Sequence, residues 1–197
     1  MNPLTHKILA DNILQTLKND FQEEVLLRKS LLWGSVRPDI FRGDISHFKN
    51  EGAEKFFKKY EKVDKSSVVM TGREFSCSLG QIFHYLSDFF CQAHNSEKYF
   101  DRRSAHLLNE IKLQQFAQKK SFNYFVRQLQ KKAGFDVNKT TSSTLRFQEL
   151  IENKHALFME DKFCFKNDLI YSFGICVLAG RRLIENKVKR ENKIRVA

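Results

Sequence analysis

The sequence predicts an all-α protein, a single-domain multi-helix bundle over residues 1–197, and three observations predict it. Glycine and proline number only 8 and 2, too few for the punctuation of a turn-rich β fold. Phenylalanine is abundant, with 19 residues whose spacing suits long helices packed through aromatic faces. Residues 81–110, QIFHYLSDFFCQAHNSEKYFDRRSAHLLNE, place Ile82, Phe83, Leu86, Phe89 and Phe90 at a helical rather than an alternating period.

That last stretch also carries chemistry. His84 and Asp88 are four residues apart, as are His106 and Glu110, and His94 lies between the pairs. On a helix, positions i and i+4 share a face with Cβ atoms about 5–6 Å apart, so each pair can close on one metal ion. With a break at Asn95-Ser96, the expectation is two antiparallel helices directing five metal-type ligands into one cleft. A single such pair is commonly a surface or capping pair. Two pairs and an intervening His, in a chain with six histidines, point to metal binding.

Taken in order, residues 5–28 read as a first helix, with Thr5 as its cap and Ile8, Leu9, Ile13, Leu14, Leu17 and Phe21 as its apolar stripe. His6 sits in its first turn. Residues 31–40, LLWGSVRPDI, read as a loop because of Gly34 and Pro38, with Asp39 in that loop. His47 follows. Residues 49–62 form a charged helix that buries Phe56, Phe57 and Tyr60. A long helix starts at 65–67 and ends near His94. The helix of His106 continues towards Lys132, where Ala133-Gly134-Phe135 breaks it, and 139–144 is a polar loop. Helices over 144–158 and 168–190 complete the chain. His155 has no partner at ligand spacing and is left out of the site.

Composition narrows the function. No apolar run reaches the ~18–20 residues needed to span a bilayer, and the N-terminus lacks a signal-type apolar stretch. The expectation is a cytoplasmic or peripheral membrane protein, a secreted mature form staying open. Cys77, Cys91, Cys164 and Cys176 show neither Cys-x-x-Cys spacing nor scaffold density, so buried free thiols are expected. The net charge of +11 points to a polyanionic partner, an anionic membrane or nucleic acid. Part of it lies at 187–195, which reads as a solvated helix end.

In order, the chain offers His6, Asp39, His47, His84, Asp88, His94, His106 and Glu110. This order and spacing resembles the zinc-dependent phospholipase C family and its relatives, the single-strand-specific zinc nucleases, over residues 6–110. The resemblance implies an all-helical fold with three zinc ions at the bottom of a cleft. It implies one zinc on Asp39, His47, His84 and Asp88, a second on His94, His106 and Glu110, and a third on His6 with Asp88 bridging. Imidazole and carboxylate donors suit zinc, and their protonation should weaken binding at acid pH. The departure is at the start. The family also holds its third zinc through the amino group and carbonyl of the first mature residue, typically a tryptophan, whereas this chain reads Met1-Asn2-Pro3.

The implied reaction is hydrolysis of a phosphodiester by metal-activated water. Asp39 is the candidate for orienting or deprotonating that water, with attack needing no protein base as the alternative. Trp33, Phe41 and Phe48 flank the Asp39/His47 stretch and suit either acyl chains or stacked bases. The Gly-Ser-x-x-Pro-Asp stretch resembles the bacterial lipase branch of that family, which implies phospholipid as substrate. A single-strand nuclease of the same fold and a non-catalytic, metal-stabilised interaction domain are the alternatives. A di-iron bundle is disfavoured, because it uses Glu-x-x-His pairs.

Overall fold

The computed structural model describes residues 1–21, 26–41, 49–96, 103–131 and 144–196. Within them the chain is all-α, with the order α1 (Pro3–Asp20), α2 (Arg28–Ile40), α3 (Lys49–Ser66), α4 (Gly72–Phe89), α5 (Gln92–Asn95), α6 (Arg103–Gln118), α7 (Phe122–Lys131), α8 (Thr144–Glu160) and α9 (Phe165–Val196). Helix α4 is central and packs on α1, α2, α3 and α9. Phe75, Leu79, Ile82, Phe83 and Leu86 are buried along it, each side chain contributing about 1.5–3 kcal/mol of burial. The run Leu169–Ala179 of α9 is buried on all sides, and Cys176 Sγ and Ser172 Oγ bond the carbonyls of Phe83 and Ser87 on α4.

Helix α1 ends at Asp20, and Arg28, expected at its end, opens α2 instead; other boundaries differ from the sequence expectation for local reasons. Helix α1 starts two residues before Thr5. Pro3 fits the first turn, where no N–H is needed, and the Asn2 side chain accepts from Thr5 N at 2.9 Å as the cap. Asn2 Nδ2 also donates to Gln114 Oε1 on α6, which fastens the chain start to the bundle. Helix α4 starts at Gly72, because Thr71 and Glu74 form a reciprocal capping box. After Glu110 the chain forms two helices, divided at residues 119–121. The expected break at Ala133-Gly134-Phe135 and the 139–144 loop lie outside the described residues, apart from Thr144 at the start of α8.

A further difference positions the site. Residues 31–40 are helical, so Asp39 stands in the last turn of α2 and not in a loop. Gly34 serves packing here rather than a turn. A Cβ on Gly34 would overlap the Cys77 carbonyl, and one on Gly80 would overlap the Leu31 carbonyl and Ser35 N. Two glycines on facing helices therefore let the backbones of α2 and α4 touch. Pro38 lies late enough that only the final turn is affected, and the helix stops within three residues of it.

The C-terminal basic run is docked at Lys187 and Arg190, contrary to the solvated end expected. Lys187 Nζ donates to the carbonyls of Ser67 at 2.6 Å and Met70 at 3.2 Å, just past the end of α3, where helix carbonyls lack partners. Asn186 Nδ2 donates to Asp64 Oδ1, and Arg190 bonds the Asp64 carbonyl.

The glycine contact makes a direct prediction. Gly80→Ala should push α2 from α4, separating Asp39 from His84, and should cost about 1–3 kcal/mol as overpacking does. Thermal melting of the variant checks this; an unchanged melt would contradict it.

Candidate metal centre

The centre is organised around one buried carboxylate. Asp88, in the last turn of α4, is 4 % exposed. Its Oδ1 accepts a hydrogen bond from the α-amino group of Met1 and lies 3.3 Å from His6 Nε2 and 3.6 Å from His94 Nε2. Its Oδ2 lies 3.3 Å from His84 Nε2. Burial alone would raise the Asp88 pKa, but the Met1 ammonium and then His94, His6 and His84 outweigh it and hold it well below the carboxylate range. The Met1 amine feels the converse. Burial opposes its charge, yet Asp88 and Glu110 raise it to about 12.

The backbone aims the first pair of histidines. His84 Nδ1 donates to the Ser35 carbonyl on α2 at 3.0 Å, which leaves Nε2 as the lone-pair nitrogen, 3.9 Å from Asp39 Oδ1. Ser87 Oγ donates to the His84 carbonyl at 2.9 Å, so it accepts from His6 Nδ1–H at 2.9 Å. His6 Nε2 faces the Met1 carbonyl oxygen at 3.1 Å and Asp39 Oδ2 at 3.8 Å. An imidazole nitrogen, a carbonyl oxygen and two carboxylates around one point are groups that can together hold a cation in place of a proton. The His6 and His84 rings lie 3.9 Å apart.

The second group comes from α5 and α6. After α4 ends, Cys91 turns the chain into the single turn of α5, which carries His94. Asn95 Nδ2 holds that turn by donating to the carbonyls of Phe89 and Cys91. His94 Nε2 lies 2.7 Å from the Met1 amine and 3.5 Å from Glu110 Oε1. His106 Nε2 lies 3.1 Å from the same oxygen. Glu110 is held below the carboxylate range, the hydrogen bonds from His106 and His94 exceeding the effect of burial. Burial, then the Met1 ammonium, lowers His94, which favours the neutral imidazole that binds metal.

The donor atoms of His6, Asp39 and His84 lie within 4.8 Å of one another, and so do those of His94, His106 and Glu110. Asp88 stands between the groups. Seven of the eight ligand candidates thus meet at one centre, and His47 lies outside the described residues. They arrive on α1, α2, α4, α5 and α6; the five expected on two antiparallel helices come from three, α4, α5 and α6. His155 is away from both groups; its Nε2 lies 3.1 Å from Asn95 Oδ1 and its ring stacks on Phe89 at 3.9 Å. Sequence reasoning missed Ser35 and Ser87, which carry no signal beyond standing near Asp39 and beside Asp88. It named the Met1 position without assigning it. The donors are nitrogen and oxygen throughout, as zinc prefers where thiolates are not used.

An all-helical protein with a buried histidine–carboxylate cluster is the class these features define. The family pattern described as zinc dependent phospholipase C matches residues 5–165, and the chain belongs to that family. The match runs past Glu110 through α8 to the start of α9, well beyond the ligands that carried the resemblance. Neither a curated protein nor a solved structure matches the chain.

Asp168, at the start of α9, is a second buried carboxylate that the sequence did not single out. It is 1 % exposed, lies 3.9 Å from Cys91 Sγ, and accepts from the backbone N–H of Gln92 at the start of α5. Burial raises its pKa to about 8, against an ordinary 3.8. A carboxyl raised on folding holds its proton in the folded state while the unfolded chain has lost it. Stability therefore falls as pH rises from about 4 to about 8, by at most about 1.4 kcal/mol per pH unit for one proton. Asp168→Asn should remove that slope in denaturant melts over this range, and a variant keeping the wild-type slope would contradict the assignment.

Proposed function

We propose that the chain is a zinc-dependent phosphodiester hydrolase that cleaves phospholipids in the manner of a phospholipase C. The convergence of seven histidine and carboxylate side chains on Asp88, in a chain of this family, carries the reading. Asp39, His84 and Asp88, with His47, would hold one zinc; His94, His106 and Glu110 a second; and His6, Asp88 and the amine and carbonyl of Met1 a third. When bound, zinc supplies charge that offsets the phosphate oxygens and activates water for attack.

The chain's own residues have distinct parts. Asp88 joins the two groups and fixes their separation. Ser35 and Ser87 set the histidine tautomers, as backbone and hydroxyl partners of metal-binding imidazoles do. Asp39 takes the proton of the attacking water, its side chain being 16 % exposed against 5 % for Asp88, with Oδ2 buried on the His6 side. Phospholipid is favoured over nucleic acid because the residues beside the α6 ligands are apolar and open. Leu107, Leu108 and Ile111 are exposed next to His106 and Glu110, a surface suited to acyl chains and unsuited to a phosphate backbone.

Zinc-loaded protein should release diacylglycerol from phospholipid vesicles. Asp88→Asn should lose zinc and turnover together, with activity down by on the order of a hundredfold or more. Cleavage of single-stranded DNA with no release of diacylglycerol would favour the nuclease reading instead. Full zinc content with no turnover on either substrate would favour the non-catalytic one.

A further inference from the structure

A basic pocket of about 980 Å³ opens between α2, α3 and α4, and none of the described metal-binding candidates lines it. Its walls carry Lys29 and Arg37 from α2, Lys58, Lys59 and Lys62 from α3, and Arg73 from α4. Among the described residues one acid lines it, Glu74, and it is turned to its own helix, where Oε2 accepts from Thr71 N and Oγ1 at 2.9 Å each. Lys29, Arg37, Lys62 and Arg73 bring four positive charges from three helices to one space, and such a focus of positive potential favours an anion of more than one charge.

The pocket is also amphipathic. Lys29, Trp33, Arg37 and Phe41 follow at four-residue spacing, so cation and aromatic alternate along one stripe of α2. Trp33 is 45 % and Phe41 59 % exposed, and Ile40 and Leu27 beside them are exposed as well. Exposed tryptophan among cations is the composition of a membrane-interface surface. A base-stacking platform fits less well. Trp33 and Phe41 meet edge-on at 6.1 Å, and the Arg37 guanidinium covers Phe41 at 5.9 Å, so the rings are engaged with protein. A choline-type cation fits worse still, since quaternary ammonium sites use aromatic cages and this one is ringed by positive charge.

The pocket shares a wall with the metal centre. Asp39 stands between Arg37 and Phe41, and the Tyr85 ring, in the pocket, lies edge-on to His84 at 5.5 Å. We propose that this pocket binds the phosphate monoester of an anionic phospholipid headgroup and so seats the protein on anionic rather than zwitterionic membranes. The proposal concerns binding alone and holds or fails independently of the hydrolase reading.

Trp33 is the sole tryptophan, so its fluorescence reports this pocket. Full-length, zinc-loaded protein is titrated with vesicles of phosphatidylcholine, of phosphatidylcholine with phosphatidic acid, and of phosphatidylcholine with phosphatidylglycerol at matched charge. The expected result is a blue shift that is strongest with phosphatidic acid and absent with phosphatidylcholine alone. The double variant Lys62→Glu/Arg73→Glu, near the end of α3 and at the start of α4, should need on the order of tenfold more lipid at unchanged zinc content. Lys193→Glu, at the far end of α9, should stay within about twofold. Equal losses in the two variants, or equal binding to all three vesicles, would overturn the proposal. So would a response to inorganic phosphate or single-stranded DNA that the double variant abolishes while vesicle binding persists.

Discussion

A carboxylate buried in a hydrophobic core must be surrounded by compensating charge or the fold cannot keep it. Asp88 is that group, and much of the molecule is arranged around it. The Met1 amine reaches it because Asn2 and Pro3 start α1 at once and Asn2 is tied to Gln114. His84 lies one turn before it on α4, His6 comes from α1, and His94 comes from the turn that follows. Removing a partner would leave a buried charge uncompensated, which is strongly destabilising. The same grouping explains why the centre suits cations. Three carboxylates and four imidazoles offer more lone pairs than the one amine can satisfy.

The helices around that point are placed by contacts of a different kind. Gly34 and Gly80 bring α2 against α4 at backbone distance, which delivers Asp39 and the Ser35 carbonyl to His84. Helix α9 closes the opposite side with a fully buried stretch, and its polar end is clamped on α3 through Lys187 and Asp64. Asp168 on α9 holds the start of α5 and, through it, His94. Packing and chemistry are therefore coupled, and a methyl group in the α2–α4 contact acts on the metal centre without touching a ligand.

Much of the site was legible because i, i+4 spacing is a local property of a helix. His84 with Asp88 and His106 with Glu110 could be paired from the chain alone. His6 and Asp39 could not, since nothing local brings α1 or α2 to α4; they entered through the resemblance in ligand order. Residues 31–40 form a helix although Gly34 and Pro38 are turn signals, because Gly34 packs against the Cys77 carbonyl and Pro38 stands in the last turn. Ser66-Ser67 resembles a cap, yet helix α4 starts later, where Thr71 and Glu74 form the capping box. Met1 is the clearest case of information held only in three dimensions. An ordinary first residue supplies the amine and carbonyl that face Asp88 and His6.

The central claim is that divalent cations sit on either side of Asp88, bound by nitrogen and oxygen donors. Anomalous scattering at the zinc edge from crystals of zinc-loaded protein tests this most directly. The account predicts peaks flanking the Asp88 carboxylate, one within bonding distance of His84 and another within bonding distance of His94, His106 and Glu110, at zinc-to-nitrogen distances of about 2.0–2.1 Å. Zinc located instead on cysteine sulfur, or no anomalous peak near Asp88 in fully loaded crystals, would contradict it.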